Sequence, residues 1–174
     1  RSGLLGTCVG GSFSLMAAAS PLIRDNVAFL SAYAPFSSMN TFARDIASAS
    51  RSSGDGREPW EVDQLTHKVF VHSVTATLEP GEAEKIRKAS MNADVRLTRN
   101  KLSANGRAVY ALLNAKNIDD AEKALQYLPH IMQERLNALS PMKYLKDIQA
   151  PLIILLHDSG DQVIPVSESQ RLVA

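Results

Sequence analysis

Six residues near the start of the chain, Gly6-Thr7-Cys8-Val9-Gly10-Gly11, combine the single cysteine of the sequence with three glycines. A thiolate attacks carbonyl carbon, and the residues around Cys8 are those that a nucleophile held in a sharp turn requires. Gly3-Leu4-Leu5 reads as a strand leading in, and residues 12–19, rich in small side chains, as the helix that follows. A strand that turns directly into a helix strains the corner residue and pushes its side chain clear of the sheet. Gly6 and Gly10, two positions to either side, are expected to remove side chains that would clash there. The Val9 N–H then points from the helix N-terminus toward the oxygen of an attacked carbonyl, where negative charge develops. Two other readings compete. One is a glycine-rich turn around a buried structural cysteine. The other is a phosphate-cradling loop, which lacks its Lys-Ser/Thr pair after Gly11 and its G-x-G-x-x-G register.

The motif resembles the nucleophile elbow of the α/β-hydrolase superfamily, and within it the members with cysteine at the corner, such as dienelactone hydrolases. The resemblance implies Cys8 as nucleophile and the Val9 amide as first oxyanion donor. It extends to a second stretch, His157-Asp158-Ser159-Gly160-Asp161-Gln162-Val163-Ile164-Pro165, similar to the family's H-G-x-x-D-x-x-V-P. Matched residue by residue, His157 falls on the family histidine, Asp161 on the triad acid and Pro165 on the proline. Glu168-Ser169 sit in the start of the next helix. Asp158 stands where the family often has glycine, and Ile164 where it has valine, so two carboxylates lie three residues apart. A carboxylate just beyond a strand's C-terminal end occupies the edge where open α/β sheets place their sites. Its implied work is to orient an imidazole and stabilise the imidazolium. Its competing reading is a solvated Asp in a tight turn. Cys8 and Asp161 should then face each other across room for one imidazole, on the order of 6–10 Å.

The order implied by the resemblance is nucleophile, acid, histidine, yet no histidine follows Asp161. His67, His72 and His130 fall in helical pattern, and His157 reads as structural at a strand terminus. Five residues separate His67 from His72, the wrong spacing for two ligands on one helix face, and no cysteine or carboxylate cluster completes a metal site. Neither metal nor other cofactor is expected. The chain opens at Arg1 and stops at Ala174 within helical pattern, so an internal fragment of a longer protein is expected, with the catalytic histidine and second oxyanion donor outside residues 1–174.

With 174 residues and 45% hydrophobic content, the chain suits one domain or part of one. A net charge of +1 gives no electrostatic case for nucleic acid or an anionic membrane. One cysteine excludes an internal disulfide framework and points to a reducing compartment, hence a cytoplasmic location. The apolar run at residues 152–156 is too short to span a bilayer.

The expected fold class is α/β: about three parallel strands of a hydrolase sheet with a large helical cap insertion. Residues 1–37 form core with the elbow, 38–139 the cap, and 140–174 core with the acid loop. The continuous apolar runs 27–33 and 152–156 suit parallel strands covered on both faces. Between them, helices are expected at 39–49, from Pro59 onward, at 82–89, 107–115, 121–127 and from Pro129 to 136, with a mobile loop at 48–57. A short helix at 143–148 leads back to the sheet. Trp60, Phe70, Tyr110 and Tyr127 are candidates for an apolar pocket, although core packing explains them better.

The expected function is hydrolysis of an ester, lactone or similar acyl bond in a small-molecule substrate through Cys8. The alternative is a catalytically inactive hydrolase-like protein used for ligand binding or assembly. A third reading, a helical interaction module, would make the elbow a coincidence.

Overall fold

The structure, a computed structural model, describes residues 1–92, 95 and 97–173. Strand β1 (Ser2–Thr7) leads into helix α1 (Val9–Ala18), strand β2 (Val27–Tyr33) and helix α2 (Met39–Ser48). A hairpin follows, β3 (Ser50–Ser53) and β4 (Gly56–Pro59). Helices α3 (Gln64–Thr75), α4 (Pro80–Met91), α5 (Ala104–Leu113), α6 (Ile118–Gln126) and α7 (His130–Ala138) come next. Two 3-10 turns lead to β5 (Ile153–Leu156) and helix α8 (Val166–Arg171). The architecture is mixed α/β, with a three-stranded parallel sheet ordered β1-β2-β5 and a separate two-stranded antiparallel sheet.

The chain divides into two compact units, Arg1–Phe42 with Ser52–Gly56 and Leu136–Ala174, and Ala43–Arg51 with Arg57–Arg135. The first holds the parallel sheet. Helix α1, the crossover from β1 to β2, packs on one face of this sheet. That face is covered: Leu15 and Ala18 of α1 pack with Val27, Leu30 and Ala32, joined by Leu145, Ile148 and Leu172. The opposite face is not. Leu5, Phe29, Tyr33, Ile154 and Leu156 are exposed, Leu5 to 74% and Leu156 to 53%. The expectation of strands covered on both faces is therefore corrected. An apolar strand composition reports what a parallel sheet needs, whereas cover depends on which elements pack against each face.

The second unit buries Trp60, Phe70, Val71, Val74, Ile86, Val109, Leu112 and Ala121. Trp60 and Phe70 are thus core, Tyr110 is half-buried and Tyr127 is 70% exposed. Asp45, near the end of α2, is fully buried between the guanidinium groups of Arg44 (2.9 Å) and Arg57 (2.7 Å).

Several local expectations are also corrected. Residues 48–57 include most of a hairpin rather than a mobile loop: Gly54 takes φ +55° in its turn, and Arg57 donates to the Ser50 carbonyl at 2.6 Å. Pro59 closes β4, and the next helix waits for Asp63, whose side chain accepts from the Thr66 amide as its N-cap. Helix α4 begins at Pro80, two residues before the expected 82, since proline suits the first helical turn. Asn117 caps α6 by accepting from the Asp120 amide, so that helix begins earlier than 121. The stretch 143–148 forms 3-10 turns, Pro141–Lys143 and Leu145–Asp147, in place of one helix. The helical pattern at Ala174 lies outside the described residues.

A dye that fluoresces on apolar surface should bind the uncovered sheet face. Leu5 and Ile154 flank Ser31 in one row of that face. The double variant Leu5→Gln/Ile154→Gln should cut the dye signal at least about twofold without lowering Tm. An unchanged signal would mean that the face is covered in solution.

Candidate functional site

The corner between β1 and α1 falls on Cys8, which takes φ 54° and ψ −129°. A side chain other than glycine costs about 1–3 kcal/mol in such a conformation, so surrounding contacts must impose it. They are present. The Cys8 amide donates to the Tyr33 carbonyl at 2.7 Å, and the Cys8 carbonyl accepts from the amides of Gly11 (2.9 Å) and Ser12 (3.3 Å). Cys8 thereby ends the sheet pairing and starts the helix in a single residue. Its side chain carries no capping bond, and the residue is half-buried. The amides of Val9 and Gly10, in the first turn of α1, have no carbonyl within their own helix to donate to.

The glycines have other partners than the symmetry of the motif implies. A Cβ on Gly6 would run into the Gly10 carbonyl and the Ser14 hydroxyl. One on Gly11 would lie 3.2 Å from the Gly6 carbonyl oxygen and 3.3 Å from that of Tyr33. Gly10 has open space around it. The expectation that Gly10 relieves a clash is thus corrected: the tight approach of helix to strand runs between Gly6 and the Gly10–Gly11 backbone, and the missing side chains that matter belong to Gly6 and Gly11.

The register aligns Thr7, Tyr33 and Leu156 at the carboxyl ends of β1, β2 and β5. Cys8 follows the first of these directly, and Asp161 lies five residues beyond the third, so both stand at the same edge of the sheet. Two strand spacings, about 10 Å, separate β1 from β5. Asp161 Oδ1 accepts from the amides of Val163 (2.7 Å) and Ile164 (3.1 Å), which fixes the carboxylate in its loop. Its Oδ2 lies 3.5 Å from His157 Nε2. His157 is itself held on both sides: Nε2 lies 2.9 Å from the Ile164 carbonyl, and Nδ1 lies 2.6 Å from the Ser169 hydroxyl. Ser169, His157 and Asp161 therefore stand in line, the first two hydrogen-bonded and the last two 3.5 Å apart, with the residue types found in a catalytic triad. Their burial argues against that use. The imidazole is 4% exposed and Ser169 is buried, the hydroxyl also reaching the Pro35 carbonyl at 3.2 Å, so a substrate has no access. His157 is structural in this arrangement. Asp158 accepts from the Gly160 amide and shapes the turn. His67 and His72 lie on α3 and His130 starts α7.

Three features of this edge were not apparent in the sequence. Ala34, directly after β2, takes φ 48° while its amide donates to the Leu156 carbonyl at 2.7 Å. An alanine carries no sign of a left-handed conformation. Ser12 accepts from the Phe36 amide (2.9 Å) and donates to the Phe36 carbonyl (3.2 Å), yet in sequence it is one small residue of a helical run. Glu168, charged and in a short helix, is completely buried.

Among the described residues no group of three or more His, Cys, Asp or Glu could hold a metal ion, and no helix is long and apolar enough to cross a membrane. Comparison of the chain with family models, with curated proteins and with solved structures finds no match.

The glycine contacts give a directional test. Gly6→Ala should destabilise the protein by several kcal/mol or prevent folding, because backbone rather than a flexible side chain blocks the new methyl. Gly10→Ala, in open space inside a helix, should be neutral or stabilising by up to about 1 kcal/mol. Urea denaturation of the two variants checks this, and equal losses would contradict the packing described.

Proposed function

We propose that the chain carries the nucleophile and acid of an acyl hydrolase, cleaving an ester, lactone or related bond through Cys8. The observation that supports this most is the backbone of Cys8 itself. A strained, non-glycine corner between a parallel strand and a helix presents a thiol beside first-turn amides, at the edge that also carries the Asp161 loop. In the reaction the Cys8 thiolate adds to the acyl carbon, and the resulting oxyanion is stabilised by the Val9 amide. Collapse expels the alcohol, which takes up a proton, and leaves a thioester on Cys8. Water then adds to the thioester, releasing the carboxylic acid and restoring the thiol. Asp161 is the acid that would orient an imidazole, which in such a reaction activates both the thiol and the water. That imidazole is not His157, which is spent on Ser169 and Ile164, and no histidine follows Asp161 in the sequence. The acyl transfer to Cys8 is thus the half of the reaction assigned to these residues.

One observation favours the alternative of an inactive hydrolase-like protein that binds a ligand. The imidazole beside Asp161 is His157, buried and turned to structural work.

Reaction with nitrophenyl acetate separates the two. We expect release of about one equivalent of nitrophenolate without turnover, one acetyl group on the peptide containing Cys8, and no adduct in Cys8→Ala. Iodoacetamide should alkylate Cys8 at least about tenfold faster than free cysteine. Absence of the acetyl adduct, together with alkylation no faster than the free amino acid, would sink the hydrolytic reading and leave the ligand-binding one.

A further inference from the structure

We propose that Glu168 is the positioning residue of the acid loop, holding the segment that presents Asp161 against the chain that leaves β2. Both carboxylate oxygens are engaged. Oε2 accepts from the Ser37 amide (2.8 Å), the Ser37 hydroxyl (2.6 Å) and the Ser38 amide (3.2 Å). Oε1 accepts from the Thr41 hydroxyl (2.8 Å) and from the Arg171 guanidinium one turn along α8. Every neighbour is a donor, so the side chain serves as acceptor only, the role of an ionised carboxylate. A fully buried carboxylate in a six-residue helix is an expensive device for holding that helix in place, since desolvation opposes it and apolar packing would serve helix docking as well. Apolar packing, however, is not directional. Five convergent hydrogen bonds fix the first turn of α8 in both rotation and translation.

That constraint passes to Asp161 through a short path. The Glu168 amide donates to the Pro165 carbonyl at 2.9 Å, which sets the residue before α8. Ile164, next in line, is buried, gives its amide to Asp161 Oδ1 and offers its carbonyl to His157 Nε2. Ser169 closes the path from the other side, linking His157 to the Pro35 carbonyl. A rotation of α8 would therefore move Ile164 and reorient the carboxylate bound to it. The proposal rests on the reading of Asp161 as the acid, but its test needs no activity.

The amide protons of Val163 and Ile164 report the carboxylate directly, since both donate to Asp161 Oδ1. In Glu168→Gln the amide side of the glutamine must face a donor, so α8 loses its fixed docking. We expect those two amide resonances to shift upfield and their hydrogen exchange to quicken at least about tenfold, with Gly11 and Ser12 of α1 and the α5 amides unchanged. Ser37→Ala, which removes one donor and keeps the charge paired, should move the same two resonances in the same direction by less. It also keeps the test open if Glu168→Gln does not fold. A lowered Tm with Val163 and Ile164 unmoved, or a uniform rise in exchange across the sheet unit, would make Glu168 a structural residue only and overturn the proposal. Failure of acetyl transfer to Cys8 with these shifts present would instead remove the hydrolytic reading and leave the positioning intact.

Discussion

The segment from Ala34 to Ser38, immediately after the central strand, is held by side chains from both flanking helices of its unit. Ser12 of α1 takes both backbone groups of Phe36, Ser169 of α8 takes the Pro35 carbonyl, and Glu168 takes the amides of Ser37 and Ser38. Strand pairing adds the bonds from Cys8 to Tyr33 and from Ala34 to Leu156. The β1–α1 corner and the Asp161 loop are far apart in sequence, and this segment joins the central strand β2 in linking them. Two strained residues, Cys8 and Ala34, stand at the ends of neighbouring strands, and this bonding sustains their conformations. A buried carboxylate whose donors were removed would leave an uncompensated charge, a loss of about 3–5 kcal/mol, which makes the cluster sensitive as well as directional.

The sheet order explains why Cys8 and the Asp161 loop share one edge. In a parallel sheet every strand delivers its C-terminal loop to the same side, so the order β1-β2-β5 brings Cys8 and the Asp161 loop together whatever the length of the connection between β2 and β5. Helix α1, through Leu15 and Ala18, covers one face together with Leu145, Ile148 and Leu172. Leu5, Phe29, Tyr33, Ile154 and Leu156 on the opposite face are exposed, although their apolar character is what a doubly covered sheet would have.

Much of the sheet was legible in the sequence because its signals are local. The run 27–33 matches β2, and the elbow matches the β1–α1 corner, since continuous apolar stretches and glycines bordering a turn express short-range sterics. The hairpin at 50–59 was not, because its strands are polar and Arg57 closes them onto Ser50 and Asp45 through contacts that composition does not encode. At the candidate site Cys8 and Asp161 could be named from their motifs. Ser12, Ala34 and Glu168 could not be given their parts, because each acts through a partner 24 or more residues away in the chain, for Glu168 as many as 131. The symmetric reading of the glycines failed for a similar reason: which one is crowded depends on the approach of helix to strand.

The central claim is that Ser12 and Glu168 act on one rigid segment from opposite sides. A double-mutant cycle measures this directly, with Ser12→Ala, Glu168→Gln and the double variant compared by urea denaturation. The two side chains bond to adjacent residues, Phe36 and Ser37, so the backbone between them is a direct path for their coupling. The account predicts a coupling free energy above about 0.5 kcal/mol, the double variant losing less than the sum of the single losses. Additivity within about 0.3 kcal/mol would contradict it, showing two independent anchors rather than one shared segment.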